Sequence, residues 1–233
     1  MRTFATCRLP AAGLLLAIAA SGAPALATAS GAAALATNGP EALLSAIRKS
    51  YAASPSVHVT FVQQYAPAGF GDTTPETGRL VLQAPASLRF EYDGDEGKLF
   101  TFDGKSARQY VAADKQMVVK ALTPAERGRL PLLFFDDPGA LLARYEVTAA
   151  PADRGLTELT LVPRSGGEPR KATLLAAESG EVKKLVIVDG SGNRTTFTFT
   201  NRVAGKKRPA SDFELVPPRG TKVIQGEPGG EKP

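Results

Sequence analysis

Histidine, cysteine and paired acids are the side chains from which most catalytic and metal sites are built, and this chain has few of them. Its 233 residues include one histidine, His58, and one cysteine, Cys7. A Ser-His-Asp triad would have to use His58, which falls in a stretch of strand-like alternation with no G-x-S-x-G elbow to present a nucleophile. His58 reads instead as a residue on a strand surface. A zinc site needs three or four His, Cys or carboxylate ligands at workable spacing, and no such set is present. Gly190-Ser191-Gly192 joins two strand-like runs, with no helix N-terminus after it to hold a phosphate. The acidic pairs Asp93 with Asp95 and Asp136 with Asp137 sit in turn-like contexts, where acids ordinarily serve as solvated turn formers. A glycosidase would need two acids facing each other across a cleft. These residues point away from an enzyme and from any metal or other cofactor, with a secreted hydrolase using paired carboxylates as the last-ranked alternative.

The N-terminus frames the compartment. Arg2 and Arg8 precede an apolar run from Leu9 to Ala20, and Pro24-Ala25-Leu26-Ala27 ends in an A-x-A site, the layout of a secretory signal peptide over residues 1–27. Ala34-Leu35-Ala36 offers a second cut. The run is broken by Ser21, Gly22 and Pro24 and falls short of the ~20 residues that span a bilayer. Cys7 lies before the apolar run, so it is not a lipid-bearing cysteine, and the mature chain is expected to be free of cysteine and of disulfides. The formal charge of +5 drops to about +3 when Arg2 and Arg8 leave with the signal. Lys206-Lys207-Arg208 is followed by Pro209 and has no interleaved aromatics, so it reads as a solvated loop and not as a nucleic-acid patch.

The elements come in a simple order. Residues 28–39 are small and polar, a flexible lead-in. From Pro40 to Ala53, Leu43, Leu44, Ile47 and Tyr51 recur on one helical stripe, with Pro40 and Glu41 suited to the first turn. From Val57 the period becomes two: Val57, Val59, Phe61, Gln63 and Tyr65 face one way, and His58, Thr60, Val62 and Gln64 the other. A meander follows at 78–82, 88–92, 98–102, 107–111 and 116–120, each strand separated from the next by a short turn. The segment from Thr123 to Tyr145 is an unusually apolar insertion in which Thr123 can cap one short helix and Pro138 open another. Strands resume at 145–149, 156–162, 172–177, 182–188 and 194–200, the last two joined by the tight turn Asp189-Gly190-Ser191-Gly192. The count is about eleven strands. Residues 40–224 are expected to form a single domain and residues 225–233 a disordered tail. The apolar side of so many strands, covered by a helix and a short insertion, is either ordinary core or the wall of a cavity.

Several pieces resemble the periplasmic outer-membrane lipoprotein carrier family of the LolA type. They are Phe61-Val62-Gln63-Gln64, Gly78-Arg79-Leu80, Pro85 followed by Leu88-Arg89-Phe90-Glu91-Tyr92, Asp103-Gly104-Lys105, the apolar insertion from Pro131 to Leu142, and Phe213 with Pro217-Pro218-Arg219-Gly220. The resemblance implies a mainly β fold with a few helices: an open, curved antiparallel β-barrel covered by an N-terminal helix and a short helical lid insertion. It implies a cavity for the acyl chains of lipoproteins, lined by Ile47, Tyr51, Val57, Val59, Phe61, Leu80, Leu82, Leu88, Phe90, Phe100, Phe102, Phe134, Phe135 and Leu141. It also implies a monomer in the periplasm that takes cargo from an inner-membrane ABC lipoprotein exporter and delivers it to an outer-membrane receptor lipoprotein. A lipid- or glycolipid-binding or lipoprotein-sensing module of the same fold is the alternative. Many family members place an arginine directly before the proline that aligns with Pro85, where it is thought to hold the lid shut. Here that residue is Ala84, which offers no side-chain donor, so either the closed state is less favoured or another arginine such as Arg79 or Arg89 supplies the contact.

Overall fold

In the computed structural model, which describes residues 39–123, 134–167 and 169–226, the stripe of Leu43, Leu44, Ile47 and Tyr51 becomes the buried face of α1 (Pro40–Ala52). Pro40 occupies the first turn, where a missing N–H costs nothing, and Glu41 and Lys49 sit at the ends that suit their charges. The meander follows as β1 (Ser56–Ala66), β2 (Glu76–Gln83), β3 (Ser87–Tyr92), β4 (Lys98–Phe102), β5 (Ser106–Val111) and β6 (Gln116–Ala121). After α2 (Pro138–Arg144) come β7 (Tyr145–Pro151), β8 (Leu156–Pro163), β9 (Lys171–Ala177), β10 (Val182–Val188) and β11 (Arg194–Gly205). The chain ends its described part with α3 (Ser211–Glu214) and β12 (Lys222–Gly226). The signal segment, residues 28–38 of the lead-in, the helical turn expected after Thr123 and the tail from 227 lie outside the described residues.

Among the described residues, the strands form one open, curved twelve-stranded sheet in the order β12-β6-β5-β4-β3-β2-β1-β11-β10-β9-β8-β7. Each half is a meander of antiparallel neighbours, and the halves meet where β1 pairs with β11, Val57 lying opposite Ala204 and Phe61 opposite Phe199. The expected eleven strands become twelve because β12 adds to the edge of β6 in parallel, Val223 opposite Met117. A five-residue parallel edge strand has neither the length nor the hairpin turn by which its antiparallel neighbours announce themselves. It includes Gln225 and Gly226, two residues beyond the expected domain end at Ile224.

Two local features of the central strands position side chains used below. The first is Gly78 on β2, opposite Phe61 on β1 and Tyr92 on β3. A Cβ there would stand 2.2 Å from the Glu91 carbonyl oxygen and 2.7 Å from the Phe61 ring. Its absence lets the Phe61 ring lie across β2 and meet Tyr92 edge-on at 5.0 Å between centroids. The second is a bulge in β11: His58 pairs with Val203 and Thr60 with Thr200, so Val59 faces both Asn201 and Arg202. Asn201 takes φ 52°, a left-handed conformation that asparagine tolerates better than most residues. The extra residue sends Arg202 over the Tyr51 ring at 4.9 Å, where its guanidinium donates to the Ser50 carbonyl at 2.8 Å and so caps the end of α1.

Candidate acyl-chain cavity

Residues directly opposite each other on a ladder share a face, so the register defines the interior of the sheet. One rung carries Val57, Leu82, Leu88 and Phe102, and the next carries Val59, Leu80, Phe90 and Phe100. Beyond the β1–β11 seam the same face continues through Phe199 and Phe197, then Leu185, Leu174, Leu159 and Ala149. The one charged side chain beside these rungs among the described residues is Arg202, which the β11 bulge sets next to Val59 and over the Tyr51 ring. The helices cover one part of this concave face: Leu43, Leu44, Ile47 and Tyr51 of α1 and Phe134 and Leu141 beside and on α2 join the same buried cluster. The Tyr51 and Phe134 rings meet at 4.7 Å. Burial pushes the Tyr51 phenol up to about 12, so it stays neutral.

The residues expected to line a cavity divide into two groups. Ile47, Tyr51, Val57, Val59, Phe61, Leu80, Leu82, Phe134 and Leu141 are buried in one cluster. Leu88, Phe90 and Phe135 are half-buried and pack against that cluster. Phe100 is half-buried too and reaches the group through Phe90, ring centroids 5.9 Å apart. Phe102 is buried but lies outside the main cluster, farther along β4. The half-buried set, joined by Tyr92, Phe197 and Ile187, is the accessible part of the apolar face. Phe61 links the two regions, its ring 5.5 Å from Phe90 and 6.0 Å from Phe197. The one polar tip here is satisfied: the Tyr92 hydroxyl donates to the Gln63 side-chain oxygen, and burial holds the phenol far above its ordinary pKa.

Reading from sequence alone missed the whole contribution of the second half-sheet. Phe197 and Phe199, stacked at 6.1 Å, alternate with Thr196 and Thr198, a period-two signal plain in the sequence. Their pairing across the seam with β1, which puts them on the same face as Phe61, is a long-range fact that alternation does not carry.

The polar contacts of α2 come from residues other than those expected. Arg79 and Arg89 both lie on the opposite face from Leu80 and Phe90. Arg89 donates to Glu91 at 2.6 Å and to the Asp212 carbonyl of α3 at 2.7 Å, so neither arginine reaches α2. Ala84 stands exposed in the β2–β3 turn. The ion pair between the helical segments is Arg48 of α1 with Asp137 at 3.1 Å, and Asp137 also caps α2 by accepting from the Ala140 N–H at 3.2 Å. Arg144, at the end of α2, pairs at 3.0 Å with Asp136, which precedes the helix. The Arg48–Asp137 pair is more than half exposed, worth roughly 0.5 kcal/mol, whereas the cap is worth about 1 kcal/mol. Asp137→Ala, which removes both the cap and the pair, is therefore expected to speed amide exchange across residues 139–144 about tenfold, and Arg48→Ala about twofold with a dependence on salt. Equal exchange in both variants and the parent would show that neither contact secures the lid.

An open, curved, mostly antiparallel sheet whose concave apolar face is partly covered by two helices defines the fold class of this chain. The family model described as outer membrane lipoprotein carrier protein LolA matches residues 52–216, well over half of the chain, and this protein belongs to that family. It is 27% identical over 149 residues to the outer-membrane lipoprotein carrier protein of Pseudomonas syringae pv. syringae, covering 64% of this chain and 72% of that one. It is 30% identical over 152 residues to the protein of the same name from Xanthomonas oryzae pv. oryzae, covering 64% and 71%. Among solved structures it is similar to a LolA superfamily protein from Nitrosomonas europaea, with TM-score 0.41, 11% identity and coverage of 76% of this chain and 98% of that one.

Proposed function

We propose that this protein is a non-enzymatic periplasmic carrier that shields the acyl chains of lipoproteins on its concave face and ferries them from the inner to the outer membrane. The observation that carries the reading is the gradient along that face, from fully buried Phe61 and Leu80 to half-buried Leu88, Phe90, Phe100 and Phe135. Family membership and the names of the relatives support it. An acyl chain exposed to water costs about 0.8 kcal/mol per methylene, on the order of 10 kcal/mol for a long chain, so a carrier between two membranes must cover it. The buried end supplies a stable scaffold, and the accessible end supplies apolar surface that cargo can reach once the lid segment that includes α2 moves. Cargo would come from an ABC exporter in the inner membrane and leave to a receptor lipoprotein in the outer membrane, with the carrier acting as a monomer. The fourteen residues expected to line the cavity remain the proposed lining, extended by Tyr92, Phe197 and Ile187.

Native mass spectrometry with lipid extraction, on protein purified from a bacterial periplasm without detergent, tests this directly. A co-purified acylated polypeptide supports the carrier reading. Free lipid without polypeptide would replace it with a lipid-binding module, and persistently empty protein would count against both.

A further inference from the structure

The opposite, convex face of the central strands holds a pocket of about 230 Å³ that the acyl-carrier reading does not use. It is lined by His58, Val59 and Thr60 of β1, Arg79 and Val81 of β2, Glu91 of β3, Asn201 and Val203 of β11 and Arg208 of the following segment. The β11 bulge builds it: the left-handed residue 201 brings the Asn201 amide to 3.5 Å from the Thr60 hydroxyl.

The charges around it are unevenly matched. Glu91 is taken up by Arg89 at 2.6 Å, and Arg208 by Asp212 at 2.6 Å. Arg79 is exposed and has no ion-pair or hydrogen-bond partner among the described residues. The pocket therefore presents one free guanidinium, a neutral amide, a hydroxyl and an imidazole around a space walled by Val81 and Val203. Separate donors converging from several strands suit a tetrahedral oxyanion better than a flat carboxylate, because each can meet a different oxygen. The apolar wall suits the carbon of an ester. We propose that this pocket binds a phosphate group, anchored by Arg79 and completed by Asn201 and Thr60, with the His58 imidazole in its wall.

His58 also reports on occupancy. Burial, together with the Arg208 charge, holds its imidazole below the ordinary pKa, opposed by Glu91, and its Nε2 lies 3.1 Å from the Ser56 hydroxyl, which donates to the Lys206 carbonyl at 2.8 Å. An anion in the pocket faces the same imidazole and must raise that pKa. His58 is the only histidine in the chain, so proton NMR of untagged protein made from the full-length chain reads it without ambiguity.

The titrants are inorganic phosphate at constant ionic strength and, separately, vesicles of phosphatidylglycerol or phosphatidylcholine. Binding is expected to raise the His58 pKa by roughly 1 pH unit and to saturate. Arg79→Gln should weaken the response at least tenfold with an unchanged melting temperature. Asn201→Gly, which keeps the left-handed backbone and removes the amide, should weaken it severalfold. A response to inorganic phosphate identifies a free phosphate ligand; a response to phosphatidylglycerol vesicles alone identifies a lipid headgroup. No response to either up to about 10 mM, or an undiminished response in Arg79→Gln, overturns the proposal. The site lies on the face away from the acyl cavity, so the result is independent of cargo binding.

Discussion

Phe90→Asp is expected to strip the protein of acyl cargo while leaving it folded. Phe90 is half-buried at the accessible end of the concave face, its ring 5.6 Å from Phe197 and 5.9 Å from Phe100. In the empty protein an aspartate there keeps contact with water, so the fold loses little beyond the ring contacts. Once an acyl chain covers the position, the carboxylate must be desolvated with no partner on these rungs. That costs about 2 kcal/mol or more, a fall in retention of roughly thirtyfold. Native mass spectrometry of parent and variant, with circular dichroism as the control for folding, separates the two effects. Cargo retained at the parental level by folded Phe90→Asp would remove this end of the face from the binding site.

Phe61→Ala should do the reverse and act on the fold itself. Phe61 is fully buried and meets Phe90, Tyr92 and Phe197 edge-on, with centroids 5.0 to 6.0 Å apart. It also fills the space over Gly78, which has no side chain to fold into the void. Truncation to alanine therefore leaves a cavity that cannot collapse easily. The expected cost is about 3–5 kcal/mol and a fall in melting temperature on the order of 10 °C. The measurement is chemical denaturation followed by fluorescence or circular dichroism. A loss below about 1 kcal/mol would mean that the centre of the sheet repacks, and that the buried end is as adaptable as the accessible one.

How far the sequence spoke for the structure depended on how local each signal was. The α1 stripe, the alternation of β1 and the Asp189–Gly192 turn all came out as read, because periodicity and turn chemistry act within a few residues. In that turn the Asp189 N–H bonds to the Asn193 carbonyl at 3.0 Å, and the Asp189 carboxylate accepts from Asn193 in return. The second half of the cavity wall was hidden, since Phe197 and Phe199 join Phe61 only through the pairing of β1 with β11. The lid contact was hidden for the same reason: Arg48 and Asp137 are 89 residues apart, and each alone is an ordinary surface charge. Arg79 and Arg89 looked like substitutes for the missing arginine because they are near Ala84 in sequence. Strand alternation turns both away from the interior.

The seam between β1 and β11 also governs how the chain can assemble. Val57, in the first strand, takes its central partner from Ala204, in the eleventh, so nearly the whole domain must be present before the middle of the sheet can form. Early strands can make only the local meander, and the loop that brings the seam together is among the longest the chain allows, which makes its closure a late and slow event. Until then the apolar rungs of both halves lack their common centre. The protein is thus built to stay without a finished interior while it is still being made, and to acquire one only when its last long strand arrives.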